Sequence, residues 1–381
     1  MSWEPIGGGG VIVEAEGPAG DPIGGGPDEW SEVASLGTGR RQLAGASDAD
    51  GLIYAIGGES DANDFESVVE QYDPSTDTWT SVASLGTARR ELAGASDADG
   101  LVYAIGGRSD ATGHESVVEQ YDPSTDTWTA VASLGTERRE LAGASDANGL
   151  VYAIGGQDDD FNELALVEQY DPGTDTWTTV ASLGTARRQL AAASDADGLV
   201  YAIGGRSNAD SSESVVEQYD PGTDTWTTVA SLGTGRRQLA GASDANGLVY
   251  AIGGNELGDS KSVVEQYDPA TDTWTTVASL GTAKRDLAGA SDADGFIYAI
   301  GGESDENDYE SVVEQLQFDP LFVDAYSATG DTLFTADDPD AELLNRTTDR
   351  SVTGDSLIAR DGETIAWIVE SQARLYRTEE Q

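Results

Sequence analysis

A segment of about fifty residues recurs six times along this chain, and its copies are nearly identical. Each copy contains an apolar run that ends in Gly-Gly, and successive Gly-Gly pairs start 49 residues apart, with 48 before the last. The pairs start at Gly57, Gly106, Gly155, Gly204, Gly253 and Gly301. A period of this length, with short apolar segments between turn residues, predicts a repeat protein in which each copy is one small sheet.

One copy reads as four short strands. Residues 40–47 are mostly small, and the turn at residues 48–51 ends in Asp-Gly, a strong hairpin signal. Residues 52–56 are apolar and β-branched, and too few for a helix. Residues 68–72 and residues 79–85 give a third and a fourth strand, separated by an Asp-Pro turn. Four antiparallel strands per copy predict one blade of a β-propeller.

These copies resemble the kelch repeat, in which a Gly-Gly pair follows an apolar strand and a Tyr and a Trp follow at set distances. The resemblance covers residues 30–316 and implies an all-β, six-bladed kelch propeller. No Trp follows the last Gly-Gly pair at the distance that the repeat sets, whereas residues 30–36 copy residues 79–85. We therefore expect this N-terminal strand to complete the blade of residues 285–316, which closes the ring and hides its edges.

Both ends of the chain lie outside the repeat. Residues 1–29 form a glycine-rich arm, which is flexible when free. Residues 317–381 lose the period and resemble no family that we recognise. Their segment 356–369 reads as a hairpin on an Asp-Gly turn, so we expect a small β-rich docking module.

The charge of the chain indicates its environment. It has 70 acidic and 20 basic residues, for a net charge of −50. Such self-repulsion destabilises a compact state in dilute buffer. In molar salt it is tolerable, because the Debye length falls to about 3 Å. We therefore expect a protein of an extreme halophile, or of a virus that infects one.

Composition also excludes several classes of function. The chain has no cysteine, so disulfides, thiol chemistry and cysteine-ligated metals are excluded. Its single histidine, His114, lies in a variable polar loop and is expected to be solvated. No apolar stretch is long enough to span a membrane, and no standard secretion signal is visible. The negative charge argues against a nucleic-acid partner. We expect no cofactor and no metal.

A set of paired basic residues is the first candidate site. Each pair opens the first strand of a blade, so the six pairs are expected to converge on one mouth of the central channel. The kelch resemblance implies that the second member of each pair, 16 residues before the Gly-Gly pair, can face an acidic ligand, and guanidinium groups grip carboxylates bidentately. The alternative is that the pairs neutralise the protein's own carboxylates between blades. The pairs are Arg40-Arg41, Arg89-Arg90, Arg138-Arg139, Arg187-Arg188, Arg236-Arg237 and Lys284-Arg285.

The loop after each Gly-Gly pair is the second candidate, because only this part differs strongly between copies. Phe65, Phe161 and Tyr309 lie in such loops and are expected to be exposed aromatic anchors for a partner. Unconstrained drift of these loops is the alternative. The Asp-x-Asp-Gly turns resemble the start of a calcium loop, but they lack its bidentate glutamate and also fit a hairpin.

Near-identical copies argue against a single asymmetric active site, so we expect no enzyme. The favoured function is a binding or structural propeller in a larger assembly, a virion or surface appendage, that mediates attachment or assembly. Its expected location is the virion or an extracellular surface rather than the cytoplasm. Its expected partners are neighbouring subunits and a protein or an acidic or glycan surface ligand. The alternatives are an intracellular kelch interaction scaffold and a sugar epimerase- or mutarotase-like enzyme.

Overall fold

The chain is described from a computed structural model, which defines residues 27–60, 64–111, 113–207, 211–305 and 309–318. Outside these ranges it defines the backbone of six short strands. The chain divides into two compact units, Pro27–Gln317 and a second that combines Met1–Gly26 with Phe318–Gln381.

The unit Pro27–Gln317 is a six-bladed β-propeller, as predicted. Each blade is a four-stranded antiparallel sheet, and the first strands of successive blades lie side by side in a closed ring. The strands of blades one to three are Ala44–Ser47, Ile53–Ile56, Val69–Asp73 and Thr78–Ser81; Ala93–Ser96, Val102–Ile105, Val118–Asp122 and Thr127–Ala130; and Ala142–Ser145, Val151–Ile154, Val167–Asp171 and Thr176–Thr179. Those of blades four to six are Ala191–Ser194, Val200–Ile203, Val216–Asp220 and Thr225–Val229; Ala240–Ser243, Val249–Ile252, Val264–Asp268 and Thr273–Val277; and Ala288–Ser291, Ile297–Ile300, Val313–Phe318 and Pro27–Val33.

Blade six confirms the predicted closure. Its outer strand is Pro27–Val33, which pairs with Val313–Phe318 in the sheet of the last copy. The Trp30 indole donates its Nε1 hydrogen to the Ala278 carbonyl of blade five, at 3.0 Å. Because a strand that precedes blade one in the chain completes the last blade, the ring is closed by sheet hydrogen bonds rather than by contact alone.

The hydrophobic core is divided among the junctions between blades. Ala44 and Ala46 of an inner strand, where blades crowd together, are buried with Tyr54 of the second strand. They pack against Leu85 and Tyr121 on the side of blade two. The small inner residues let the blades converge at the channel, and the large outer residues fill the widening wedge between them.

The Gly-Gly pairs lie where two blades come closest. Gly57 and Gly58 have φ of +59° and +104°, and the Gly58 amide donates to the Arg89 carbonyl of the next blade at 2.8 Å. A Cβ atom at Gly57 would lie 2.6 Å from that same carbonyl oxygen. Glycine is therefore required at residue 57 for two reasons: the backbone is left-handed, and the neighbouring blade leaves no room for a side chain.

Short two-residue ladders extend four of the blades at the end where the Gly-Gly pairs lie. These are Arg40–Arg41 with Glu59–Ser60, Arg108–Ser109 with Gly113–His114, Arg206–Ser207 with Ser211–Ser212, and Asn255–Glu256 with Asp259–Ser260.

The second unit contains two three-stranded sheets. One joins Val13–Glu14, Asp324–Tyr326 and Thr332–Phe334, and the other joins Asp355–Asp361, Thr364–Val369 and Gln372–Arg377. Ser356 pairs with Ile368 in the second sheet, so the hairpin predicted around residues 356–369 is present.

Candidate recognition face at the channel mouth

The basic pairs and the variable loops lie at the same end of the propeller. Arg41 pairs with Glu59, the first residue after the Gly-Gly pair of its blade. In the other blades single bridges make the same connection, for example Arg90 to Arg108 and Arg139 to Gln157. We call this end, formed by the basic pairs and the loops after the Gly-Gly pairs, the mouth face.

The first member of each basic pair is buried inside the protein. Arg40 has no exposed surface, and its Nη2 lies 2.7 Å from Oε2 of Glu70 on the third strand. The other oxygen of Glu70 accepts the Gly37 amide at 2.8 Å. Burial lowers the pKa of Arg40, and Glu70 partly offsets this. The other five blades contain the equivalent buried pairs, which are Arg89–Glu119, Arg138–Glu168, Arg187–Glu217, Arg236–Glu265 and Lys284–Glu314.

The expectation that these six residues line a ligand site is therefore wrong. Arg40, Arg89, Arg138, Arg187, Arg236 and Lys284 all have zero exposure. The backbone of Arg40 bonds to Glu310 and Gly302 of blade six, while its side chain bonds to Val68 of blade one. The first basic residue thus joins neighbouring blades, since a buried charge needs a paired carboxylate and hydrogen-bond acceptors.

The second member of each pair is partly exposed and paired with carboxylates of neighbouring blades. Arg41 contacts Glu59 of its own blade at 3.0 Å and Glu303 of blade six at 2.6 Å. Arg139 contacts Glu91 of blade two at 2.9 Å. Side-chain exposure is between 12% and 22% for Arg41, Arg90, Arg139, Arg188 and Arg285. Arg237 occupies the same place and is also engaged.

A closed ring of hydrogen bonds surrounds the channel inside the second basic residues. In each blade the residue after the pair donates its amide to the carbonyl of its counterpart in the preceding blade, at 2.8–2.9 Å. All six have φ of 54–55°, a conformation that costs about 1–2 kcal/mol for a residue with a side chain. This mouth ring consists of Gln42, Glu91, Glu140, Gln189, Gln238 and Asp286.

Side chains of the mouth ring line a small cavity of about 90 Å³, together with the leucines that follow them. Asp286 accepts a hydrogen bond from Gln238 at 2.7 Å, and burial raises the pKa of Asp286 to about 7. Burial, with the nearby charge of Glu140, also raises the pKa of Glu91. The mouth ring was not predicted from the sequence, although the Gln, Glu or Asp that follows each basic pair was visible.

Two of the three predicted aromatic anchors are covered by arginine. The guanidinium carbon of Arg90 lies 4.5 Å from the centre of the Phe65 ring, and that of Arg41 lies 4.7 Å from the Tyr309 ring. Both rings are only partly exposed, so their assignment as exposed anchors is wrong. Cation–π stacking on the next blade accounts for their burial. Phe161, in contrast, has 68% of its surface exposed.

Leu257, in the loop of blade five, has 88% of its surface exposed, although its sequence context did not predict an anchor there. An isolated leucine between Glu256 and Gly258 gives no apolar pattern by which it would be recognised.

His114 is buried rather than solvated, which corrects the expectation. Its Nδ1 lies 2.5 Å from Oδ1 of Asp159 in the next blade, and its ring meets the edge of Phe161. Burial lowers the pKa of His114, and the charge of Arg139 adds to the effect. Because Asp159 comes from the loop that carries Phe161, His114 links the loops of blades two and three.

Comparison with known families identifies the repeat. The model of the KLHDC2/KLHL20/DRC7 Kelch-repeats domain matches residues 100–302, more than half of the chain, and the Kelch motif matches residues 40–86. The chain belongs to the kelch-repeat family. A solved structure titled "Structure of YjhT" is similar in fold, with a TM-score of 0.63 and 16% identity, over 74% of this chain and 95% of that one. No curated protein matches the chain.

The kelch blades place their charges unevenly between the two ends of the propeller. Within residues 27–318, each lysine and arginine belongs to a basic pair or to a loop after a Gly-Gly pair, hence to the mouth face. The opposite face consists of turns such as Asp48–Gly51 and Asp73–Asp77, which are acidic and repeat with little change.

Asp48 uses both carboxylate oxygens within its own turn. Its Oδ1 accepts the amides of Asp50 and Leu52 at 3.0 Å, and its Oδ2 accepts the Tyr54 hydroxyl at 2.7 Å. These hydrogen bonds stabilise the hairpin turn, so the hairpin interpretation explains why an aspartate stands at this position. Among the described residues, no group of three or more potential ligands is placed to hold a metal ion. The same part of the chain contains no helix that is long and apolar enough to cross a membrane.

Proposed function

We propose that this kelch propeller is a non-catalytic binding module that docks a partner protein with its mouth face. One observation carries the proposal. In the described part of the chain, both exposed large hydrophobic residues, Phe161 and Leu257, lie in variable loops of the mouth face. The opposite face offers near-identical acidic turns, which present no distinct surface to a partner.

The absence of catalysis is part of the proposal and is supported by the channel. A cavity of about 90 Å³ at the mouth holds only a few water molecules. A sugar epimerase or mutarotase would need room for a substrate and different groups from different blades. The side chains around this cavity are instead Gln, Glu, Asp and Leu at repeated positions.

In this proposal the second basic residues support the loops and add polar contacts at the rim. Arg41, Arg90 and Arg188 already bind carboxylates of this chain, so an acidic ligand would have to displace those carboxylates. Their partial exposure allows contact with a partner without breaking these pairs.

We further propose that the protein works in molar salt as a head or decoration component of a larger assembly, a virion or surface appendage. Two features support this setting. The net charge of −50 suits high salt, and the chain has a second, β-rich unit in addition to the propeller. An intracellular scaffold is the alternative and also uses the mouth face.

The test uses the labelled full-length protein in molar KCl, with intact haloarchaeal cells and their cytosolic lysate as targets. A matched variant has the loop of residues 157–163 replaced by a Gly-Ser linker. Binding to intact cells that this variant loses supports the attachment role, and binding that is confined to lysate supports the scaffold. Binding that is insensitive to the loop contradicts docking by the mouth face.

A further inference from the structure

Phe161 and Leu257 share an unusual combination of properties. They have 68% and 88% of their surface exposed, and their φ angles are +62° and +54°. Left-handed backbone is unfavourable for a residue with a bulky side chain, and glycine or asparagine is its usual occupant. Both residues therefore lower the stability of the folded chain, because their backbone conformation is strained and their apolar side chains are exposed.

The loop of Phe161 is held in one conformation. The Phe161 amide donates to the Asp158 carbonyl at 3.0 Å, and Asp158 Oδ1 accepts the Asn162 amide at 2.8 Å. Gln157 Nε2 donates to the Phe161 carbonyl at 3.2 Å. This is a three-residue hairpin loop, whose last position normally holds glycine.

The loop of Leu257 is a two-residue hairpin. Glu256 pairs with Asp259, which leaves Leu257 and Gly258 as the turn, both with positive φ. The Gly258 amide donates to Oδ1 of Asn255 at 3.1 Å. A turn of this kind favours Asn-Gly, so leucine stands where asparagine would fit.

A third loop of the same face has glycine at a positive-φ position. Gly113 has φ of +91° where the blade-two loop rejoins its two-residue ladder, and a Cβ there would have nothing within 4 Å. At that position the chain has glycine although a side chain would fit, whereas at residues 161 and 257 it presents a large apolar side chain on a rigid support. Rigid presentation lowers the entropy lost when a partner binds.

We propose that Phe161 and Leu257 are the two anchors of the docking face, and that the partner is a protein with apolar pockets bordered by Lys or Arg side chains. This inference rests on the binding function proposed above and deepens it. The chemistry of the partner follows from the neighbours of the anchors. Asp159 and Asp160 directly precede Phe161 and are exposed, and Asp259, two residues after Leu257, is also exposed. Short-range, hydrogen-bonded contact between these carboxylates and cationic groups survives in molar salt.

The test uses the full-length chain and the variants Phe161→Asn, Leu257→Asn and their double. Asparagine tolerates left-handed backbone, so we expect the thermal midpoint to stay constant or rise by a few degrees. The probe is an array of short random peptides in molar KCl. We expect the wild type to select peptides that combine apolar residues with Lys or Arg. Each single variant should weaken this binding at least tenfold, and the double variant should abolish it.

The control is Asp110→Asn, an exposed change in the blade-two loop of the same face, which should bind like the wild type. A fall of several degrees in the thermal midpoint of the Asn variants would make the two residues structural and overturn the inference. Selection of acidic peptides would overturn the proposed partner chemistry.

Two further outcomes distinguish a failure of this inference from a failure of the proposed binding function on which it rests. If the double variant binds like the wild type, but replacement of residues 157–163 by Gly-Ser abolishes binding, the anchors are wrong and the mouth face still docks. If no peptide binds, or if binding resists both changes, the proposed function fails together with the anchors.

Discussion

The buried basic residue between blades shows how one side chain organises the propeller. Arg138 donates from Nη1 to the carbonyls of Gly155 and Leu166, and from Nη2 to Ala153 and to Glu168. Replacing such a pair with apolar residues is often neutral, but removal of one partner leaves an uncompensated buried charge. These pairs therefore specify how neighbouring blades join more than they stabilise the fold.

Lys284 is the only lysine among the six buried positions, and Lys284→Arg should stabilise blade six. Lys284 Nζ contacts Glu314 at 2.9 Å and the Val312 carbonyl at 3.5 Å, fewer acceptors than Arg138 reaches. The added hydrogen bonds should raise the free energy of unfolding by about 0.5–1.5 kcal/mol. Denaturant unfolding measures this. The reverse change, Arg138→Lys, should lose a similar amount, and stabilisation by both would contradict the argument.

Asp286→Asn tests the raised pKa in the mouth ring. A carboxyl with a folded pKa of about 7, above its unfolded value, binds more protons in the folded state. Its contribution to stability is therefore present at low pH and is lost as the pH rises towards 7. Asparagine still accepts the Gln238 hydrogen bond and avoids this loss.

The Asn variant should therefore gain stability over the wild type as the pH rises from 5 to 8, by roughly 1–3 kcal/mol. Thermal unfolding at a series of pH values gives this difference. Asp50→Asn on the opposite face is the control, because asparagine occupies the matching position at Asn148 and Asn246. A parallel pH profile for the wild type and Asp286→Asn would refute the shifted pKa.

At the scale of the strand, each outer strand is clamped by the next blade. Asp126 Oδ1 accepts the Ala83 amide at 2.7 Å, and Trp128 Nε1 donates to the Ala83 carbonyl at 2.9 Å. Both polar groups of Ala83 are thus satisfied by blade two. The clamp explains why an aspartate stands two residues before the tryptophan in each copy.

Asp126→Ala should destabilise the propeller, and Asp126→Asn should have little effect. Asp126 has φ of +51° and also accepts the Tyr121 hydroxyl at 2.9 Å. Alanine loses both hydrogen bonds and strains the backbone, at a cost of about 1–3 kcal/mol. Asparagine keeps an acceptor and tolerates this conformation. Equal losses for the two variants in thermal unfolding would show that the clamp is unimportant.

At the scale of the whole molecule, the two faces of the propeller differ in how their acidic residues are balanced. The Asp-rich turns of the opposite face carry no nearby cation within residues 27–318, whereas mouth-face carboxylates such as Glu91 and Glu303 are paired with arginine. Screening by salt therefore matters most for the repeated turns of the opposite face and for the unpaired carboxylates of the loops. Buried pairs such as Arg40–Glu70 are screened much less.

The thermal midpoint of the protein should fall steeply when KCl is dialysed from molar to millimolar concentration. Unscreened repulsion among the carboxylates opposes the compact state at low salt. Calorimetry at a series of KCl concentrations measures the effect. A variant with lysine at Asp50, Asp99 and Asp197 should have a shallower slope, and a flat response of the wild type would contradict adaptation to high salt.

Much of the fold was predictable, because the repeat determines it locally. The spacing of the Gly-Gly pairs gave the number of blades, and the copy of residues 79–85 at residues 30–36 gave the closing strand. The candidate site was predicted only in part. The basic pairs and the variable loops were predicted as separate candidates, and only the structure places the second basic residues and these loops at the same end of the propeller. Whether such a phenylalanine is exposed depends on whether an arginine of the next blade stacks on its ring, as Arg90 does on Phe65.

The six blades, their strands and the closure of the ring could be predicted from the sequence. The strands of a blade depend on residues close together in the chain, and the closure was visible because residues 30–36 copy a strand of the repeat. Only the tertiary structure decided which charges are buried and which apolar groups are exposed. Arg40 is buried because Glu70, thirty residues later, meets it at a junction between blades, and Leu257 is exposed because its hairpin points it to solvent. The burial of Arg40 depends on the packing of separate segments, and the exposure of Leu257 depends on the geometry of its turn, and the repeated pattern encodes neither.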